Sequence, residues 1–346
     1  MTVSLTEPIK LEMARAWRTY TGGSSIRALH GEEGTPDDHF PEEWIMSTVR
    51  ARNAGREEIV EGITMLSDAP LSLRELIDAS PEETLGEAHY RKYGAELGVL
   101  VKLIDAAERL TVQVHPTRDM ARTLFDSAYG KTECWHILGG RPIGGEEPSI
   151  YFGFRPGITR EYWMDCFRRQ DIPAMLACLH KFPVKPGDTY LIEGGIPHAI
   201  GAGCFLVEIQ EPTDYSVRTE RTTPQGLRVP DFMCHQGLGF DRMFDCFAYR
   251  GYSEEETRAR WKIERRGDVI LGKDSTEMFS LGAKEVDGKE YVACGGSFLG
   301  LYILEGEGLL NGRPVKTGDQ FFVPAACPGF TVEGKLKLFS YTGPTA

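Results

Sequence analysis

The chain has 346 residues, 41% of them hydrophobic and 26% charged, with a formal net charge of −12; this is the composition of a folded protein, long enough for about two domains at roughly 150 residues each. The acid excess leaves no global positive field to draw the chain onto nucleic acid or anionic lipid, so any phosphate must be held by a local cluster. No apolar run approaches the roughly 18 residues of a membrane span, and Glu7, Lys10, Glu12 and Arg15 interrupt any signal-peptide core, so a cytoplasmic location is expected.

Ser80-Pro81-Glu82-Glu83 predicts a helix start, with an N-cap, a proline at the first helical position and acids in the first turn. Short apolar runs follow, Val99 to Ile104 and Leu110 to Val114, and predict strands. Helical spacing returns between Ile158 and Phe182, a further helical stretch covers 230–249, and a β-rich tail runs from Val269 to Tyr341. Eight cysteines without a C-x-x-C pair read as reduced, mostly buried thiols.

An internal repeat organises these elements. Gly187-Asp188 leads to Pro197 at the spacing by which Gly318-Asp319 leads to Pro328, and upstream Trp135 to Gly140 lies parallel to Leu301 to Gly306. The first copy is longer by about the length of a helical insertion near 141–183. A strand ending in Gly-Gly or Glu-Gly, then a Gly-Asp turn and a proline, resembles the doubled motif of cupins. That resemblance implies a mainly β fold of two jelly-roll barrels with helical insertions. Residues 1–230 would form the first, and residues 231–346 a helical linker and the second. Where the first copy has Glu133 and His198 the second has Leu299 and Gly329, so a metal is expected only in the first.

Three segments carry chemistry. Strand alternation puts Thr111, Gln113 and His115 on one face of the run ending at Pro116. Lys131 and Glu133 share a face in Gly130-Lys-Thr-Glu133, and His198 lies in Ile196-Pro-His-Ala-Ile200. Each alone reads as readily as a solvated strand face, a surface ion pair or a packed histidine. Together they supply two imidazoles, a carboxylate and an amide oxygen, a set suited to a borderline dication such as zinc.

Leu110-Thr-Val-Gln-Val-His-Pro116, Gly130-Lys-Thr-Glu-Cys-Trp135 and Gly195-Ile-Pro-His-Ala-Ile-Gly-Ala-Gly203 with Glu208 resemble the successive signatures of type I mannose-6-phosphate isomerases of the shorter bacterial kind, over nearly the whole chain. The resemblance implies one zinc per chain held by Gln113, His115, Glu133 and His198, with Lys102 and Lys131 in the pocket. Glu208, Asp214 and Arg218 match the segment that lines the substrate, and Phe40-Pro-Glu-Glu-Trp44 is similar to the family's Glu-x-Trp or Glu-Trp segment, implying Glu43 near the pocket. The implied reaction interconverts mannose 6-phosphate and fructose 6-phosphate through an enediolate. Lys131 is read as the proton shuttle, Asp214 and His115 as the ring-opening groups, and Lys102, Arg218 and Arg221 as candidate phosphate donors. The sequence departs from the family at Arg18, which follows Trp17 where a glycine is usual, and at Gly130, where larger members carry histidine. Two other readings stay open: a ferrous cupin oxygenase using His115, Glu133 and His198, and a non-catalytic sugar-phosphate-binding cupin.

Overall fold

The computed structural model describes residues 3–32 and 34–345. Three antiparallel sheets carry the fold. A seven-stranded sheet runs in the order Lys262–Ile263, Thr189–Ile192, Glu133–Gly140, Cys204–Gln210, Leu100–Asp105, Glu42–Ile45, Ala14–Ala16. Facing it is a five-stranded sheet ordered Val217–Arg218, Gln113–Val114, His198–Ile200, Ser149–Phe154, Leu179–Pro183. Ile104, Trp135 and Leu206 from the first pack against Ile150, Phe152 and Ile200 from the second in one apolar cluster. The third sheet, built on the long strands Ser280–Ala293, Leu299–Leu310 and Gly329–Thr342, surrounds its own core of Leu301, Ile303, Phe321 and Val332.

The large sheet is buried on both sides, and strands such as Leu100–Asp105, Glu42–Ile45 and Thr189–Ile192 show no exposed residue. Val101, Leu103, Val207 and Ile209, which alternate with the residues facing the small sheet, pack against Tyr302, Phe339 and other residues of the third sheet. Strand pairing also ties the two halves together: Ile9–Leu11 pairs with Gln320–Val323, and Lys262–Ile263 with Thr189–Ile192.

The repeat is reproduced bond by bond. Gly187 N–H donates to Ile137 O and Gly318 N–H to Ile303 O, both at 2.9 Å; the return bonds, Ile137 N–H to Asp188 O and Ile303 N–H to Asp319 O, are also 2.9 Å. Both glycines have positive φ, 91° and 90°, which the tight turn demands and glycine meets without strain. Asp188 and Asp319 each accept from the backbone N–H three residues earlier at 3.1 Å. Glu133 and Leu299 each open a strand, as do His198 and Gly329.

The segment near 141–183 differs from expectation. Only Arg160–Arg169 and Ile172–Ala177 are helical, capped by the side chains of Thr159 and Asp171. Ser149–Phe154, an alternating β-branched and aromatic run, is a strand that pairs with Leu179–Pro183 on one side and His198–Ile200 on the other. The helices cover the outer face of the small sheet through Trp163 and Phe167 against Phe154 and Ala199. Leu110–Thr111 lies outside regular strand, where Val112 N–H is taken by the Glu220 carboxylate at 2.6 Å. Among the described residues no helix is long and apolar enough to cross a membrane, and all eight cysteines are free, seven of them buried.

Gly201 directly follows the strand that carries His198, and a Cβ there would lie 2.0 Å from the backbone oxygen of Ser149. Backbone cannot yield as a side chain does, so Gly201→Ala must part His198–Ile200 from its neighbour. We expect a loss of about 1–3 kcal/mol, typical of an overpacked site, read as a lowered Tm with weakened metal retention.

Candidate active site and metal centre

His115, Glu133 and His198 are all buried, and one ligating atom from each lies within 4.8 Å of the others. The sheets bring them together. His198 is registered opposite Gln113 in the small sheet, and Glu133 opens a central strand of the large one, opposite Gln210 and Ile192. Both histidines have assignable tautomers: Nδ1 of His115 lies 2.8 Å from Tyr215 O and Nδ1 of His198 2.8 Å from Ile196 O. A carbonyl only accepts, so each Nδ1 carries the proton and each Nε2 presents a lone pair.

Those two Nε2 atoms face each other at 3.1 Å. Two lone pairs at that distance repel unless a cation lies between them. Glu133 adds to the demand: it is fully buried, and neither carboxylate oxygen has a hydrogen-bond partner among the described residues, although His115 and Lys131 approach to 3.1 and 3.4 Å. A buried carboxylate without partners is costly unless a metal or proton neutralises it. Burial holds the pKa of both imidazoles down, that of His115 well down with Lys131 adding to the effect, which favours the neutral, metal-binding form. Gln113, 9% exposed, lines the adjoining cavity and offers an amide oxygen. The residues present fit a divalent cation.

The cavity beside this nest is lined by charged side chains whose carboxylates are largely engaged. Glu208 accepts from Lys102 Nζ at 3.1 Å and from Trp135 Nε1 at 3.0 Å. Glu42 accepts from Tyr20 OH and Trp44 Nε1, each at 2.7 Å, and from Arg18 Nε at 2.9 Å. Arg218 is registered opposite Gln113 and anchored by Nη1, which donates to Ser216 O and Met233 O at 3.0 Å. Asp214, despite burial that would raise its pKa, is held below the usual range by Arg18, Lys102, Lys131 and Arg218. Lys131 Nζ is 3.0 Å from His115 Nε2, at the junction of nest and cavity.

Of the residues expected from sequence, Lys102, Thr111, Gln113, Lys131, Glu208, Asp214 and Arg218 line the cavity, and His115, Glu133 and His198 form the nest. Two are elsewhere. Glu43 points to the opposite face of the large sheet, where it meets His30 Nε2 at 2.7 Å and where burial, with Glu43 adding to it, pushes the Tyr302 and Tyr341 phenols of the third sheet up. Adjacent residues of a strand take opposite faces, so Glu42 faces the cavity; the Glu-x-Trp spacing to Trp44 was the available signal. Arg221 is exposed, its guanidinium 4.3 Å from the Phe240 ring centroid, outside the cavity. Arg18, Tyr20, Asn53 and Arg109 are among the further lining residues that sequence did not place there.

A histidine–carboxylate nest set in cupin sheets, with a charged cavity at its edge, defines a metal-binding cupin enzyme. Two family models match: "Phosphomannose isomerase type I, catalytic domain" over residues 23–132 and "Mannose-6-phosphate isomerase, cupin domain" over residues 273–342. The chain belongs to the type I phosphomannose isomerase family. The mannose-6-phosphate isomerase ManA of Bacillus subtilis is 28% identical over 262 residues, 72% of this chain and 78% of that one. A crystal structure of the mannose 6-phosphate isomerase from Bacillus subtilis superposes with a TM-score of 0.72 at 24% identity, covering 97% of this chain and 99% of the other. A mannose 6-phosphate isomerase bound with zinc and yttrium gives a TM-score of 0.72 at 15% identity, covering 98% and 100%.

Two outcomes are expected. Chelation should lower the Tm of the wild type by several degrees, since it strips a ligand held only by the folded state, and leave Glu133→Ala unmoved; scanning fluorimetry with and without chelator reads both. Burial pushes the Glu42 pKa up, but Arg18 and Lys102 overcome it and bring it from 4.5 to about 2. Its stabilising contribution is therefore complete above pH 4.5 and lost as pH falls toward 2, roughly 3 kcal/mol over the window at 1.36 kcal/mol per unit. Denaturant unfolding between pH 6 and 3 should show a shallower acid slope for Glu42→Gln than for the wild type.

Proposed function

We propose that the chain interconverts mannose 6-phosphate and fructose 6-phosphate, using one zinc held by Gln113, His115, Glu133 and His198. The observation that carries this reading is the placement of Lys131 Nζ at 3.0 Å from His115 Nε2, beside a cavity that also holds Lys102, Asp214 and Arg218. Isomerisation opens the sugar ring, moves a proton between C1 and C2 and stabilises the enediolate between them. When bound, zinc would supply positive charge beside the developing oxyanion.

The protein's own groups divide the remaining work. Lys131 Nζ is the buried nitrogen within reach of a carbon seated at the edge of the nest, and it carries the proton between C1 and C2. Arg218, fixed through Nη1, turns the rest of its planar fork toward the oxyanion. Asp214, kept ionised by the surrounding cations, accepts the hydroxyl proton released in ring opening. Glu208 has both oxygens engaged by Lys102 and Trp135, which suits it to position Lys102 rather than exchange a proton. Lys102 retains free donors for phosphate. Most of the charged groups that line the cavity are buried, which lowers the local dielectric and strengthens each of these interactions.

Lys131→Ala and Arg218→Ala should each retain zinc, measured by elemental analysis, while turnover of mannose 6-phosphate in a coupled assay drops by about 10²–10⁴-fold. Near wild-type turnover in both variants would sink the assignment.

A further inference from the structure

Arg18 stands where the resemblance leads one to expect glycine, yet it is not an idle surface arginine. It is 8% exposed. Its backbone is clamped to His39, donating to His39 O and accepting from His39 Nδ1, both at 2.9 Å. The guanidinium lies over Trp44, with its carbon 4.9 Å from the ring centroid, and Nε is bound to Glu42 at 2.9 Å. Nη1 makes only long contacts, 3.5 Å to Asp214 and 3.5 Å to Asn53. Nη2 is buried and has no hydrogen-bond partner among the described residues.

A buried donor left unsatisfied is costly, more so for a charged group, so a rigidly held guanidinium on the cavity wall with an orphan N–H calls for an acceptor from outside the chain. That wall of the cavity is rich in donors and poor in acceptors. Glu42 already accepts from Tyr20, Trp44 and Arg18, and Glu208 from Lys102 and Trp135, which leaves Asp214, 3.5 Å from Arg18 Nη1, as the less engaged carboxylate among Arg18, Lys102 and Arg218 around the space. A sugar hydroxyl brings a donor together with its acceptor, whereas a phosphate dianion brings oxygens that only accept, in the geometry a guanidinium matches best.

We infer that Arg18 is a specificity-determining residue, donating from Nη2 to a phosphate oxygen of the bound sugar phosphate. This rests on the substrate class proposed above. Inorganic phosphate is the probe that separates the two, because its binding by calorimetry requires no isomerisation. In the zinc-loaded enzyme, Arg18→Gly and Arg18→Gln should weaken inorganic phosphate tenfold or more and raise KM for mannose 6-phosphate in parallel, with a much smaller change in kcat. Arg18→Lys should recover part of both. Phosphate bound as tightly by Arg18→Gly and Arg18→Gln as by the wild type overturns the inference, as does a fall in kcat at unchanged KM. A wild type that binds phosphate in an Arg18-dependent way without converting mannose 6-phosphate would support the phosphate subsite and refute the isomerase reading. Should the glycine variant fail to fold, the glutamine and lysine variants decide the matter alone.

Discussion

Burial of the seven-stranded sheet on both faces governs the rest of the molecule. With one face on the small sheet and the other on the third, most side chains of its central strands are buried, and the pleat sorts residues into two sets. Along Leu100–Asp105 and Cys204–Gln210, Lys102, Ile104, Leu206 and Glu208 turn to the cavity side, while Val101, Leu103, Val207 and Ile209 turn to the interface between the halves. The register Lys102 opposite Glu208 opposite Trp135 follows from the strand pairing, and the hydrogen bonds among these side chains follow from the register. A slip of one residue would exchange a charged cavity for an apolar one.

Charges confined in this way must satisfy one another. Arg18 with Glu42 and Lys102 with Glu208 are buried pairs, a kind that seldom stabilises a fold better than well-packed apolar residues would. Their value lies in fixed orientation: both oxygens of Glu42 and of Glu208 are engaged by neighbouring donors, which holds Arg18 and Lys102 in place on the cavity wall. The metal nest follows the same logic at shorter range. Backbone carbonyls of Tyr215 and Ile196 hold the protons of His115 and His198 on Nδ1, so the lone pairs and the buried Glu133 charge converge where only a cation is favourable.

The two copies of the repeat show how one scaffold supports different interiors. Their Gly-Asp turns share the same backbone bonds and nearly the same φ, yet Leu299 and Gly329 stand where the first copy has Glu133 and His198, and the core around Leu301, Ile303 and Val332 is apolar. The third sheet instead contributes through its other face, covering the large sheet with Tyr302, Phe339 and Tyr341. It supplies burial, and burial sets the electrostatics of the cavity.

Much of this was legible in the amino-acid sequence, because it depends on local spacing. Alternation in Thr111-Val-Gln-Val-His115 and in Lys131-Thr-Glu133 aligned the cavity and nest residues, and the Gly-Asp-to-Pro spacing exposed the repeat. Local spacing failed where two assignments were equally regular. Glu42 and Glu43 are both glutamates before Trp44, and only the sheet's orientation between its two neighbours decides which one enters the cavity. Arg221 sits three residues from Arg218 but beyond the paired strand, where Phe240 holds it outside. Ser149–Phe154 pairs beside the His198 strand, a contact across 46 or more residues of chain that no local pattern records. Sequence determined the residue types and their faces; tertiary structure alone decided which face met which, because burial on both sides of a sheet is a property of what packs against it.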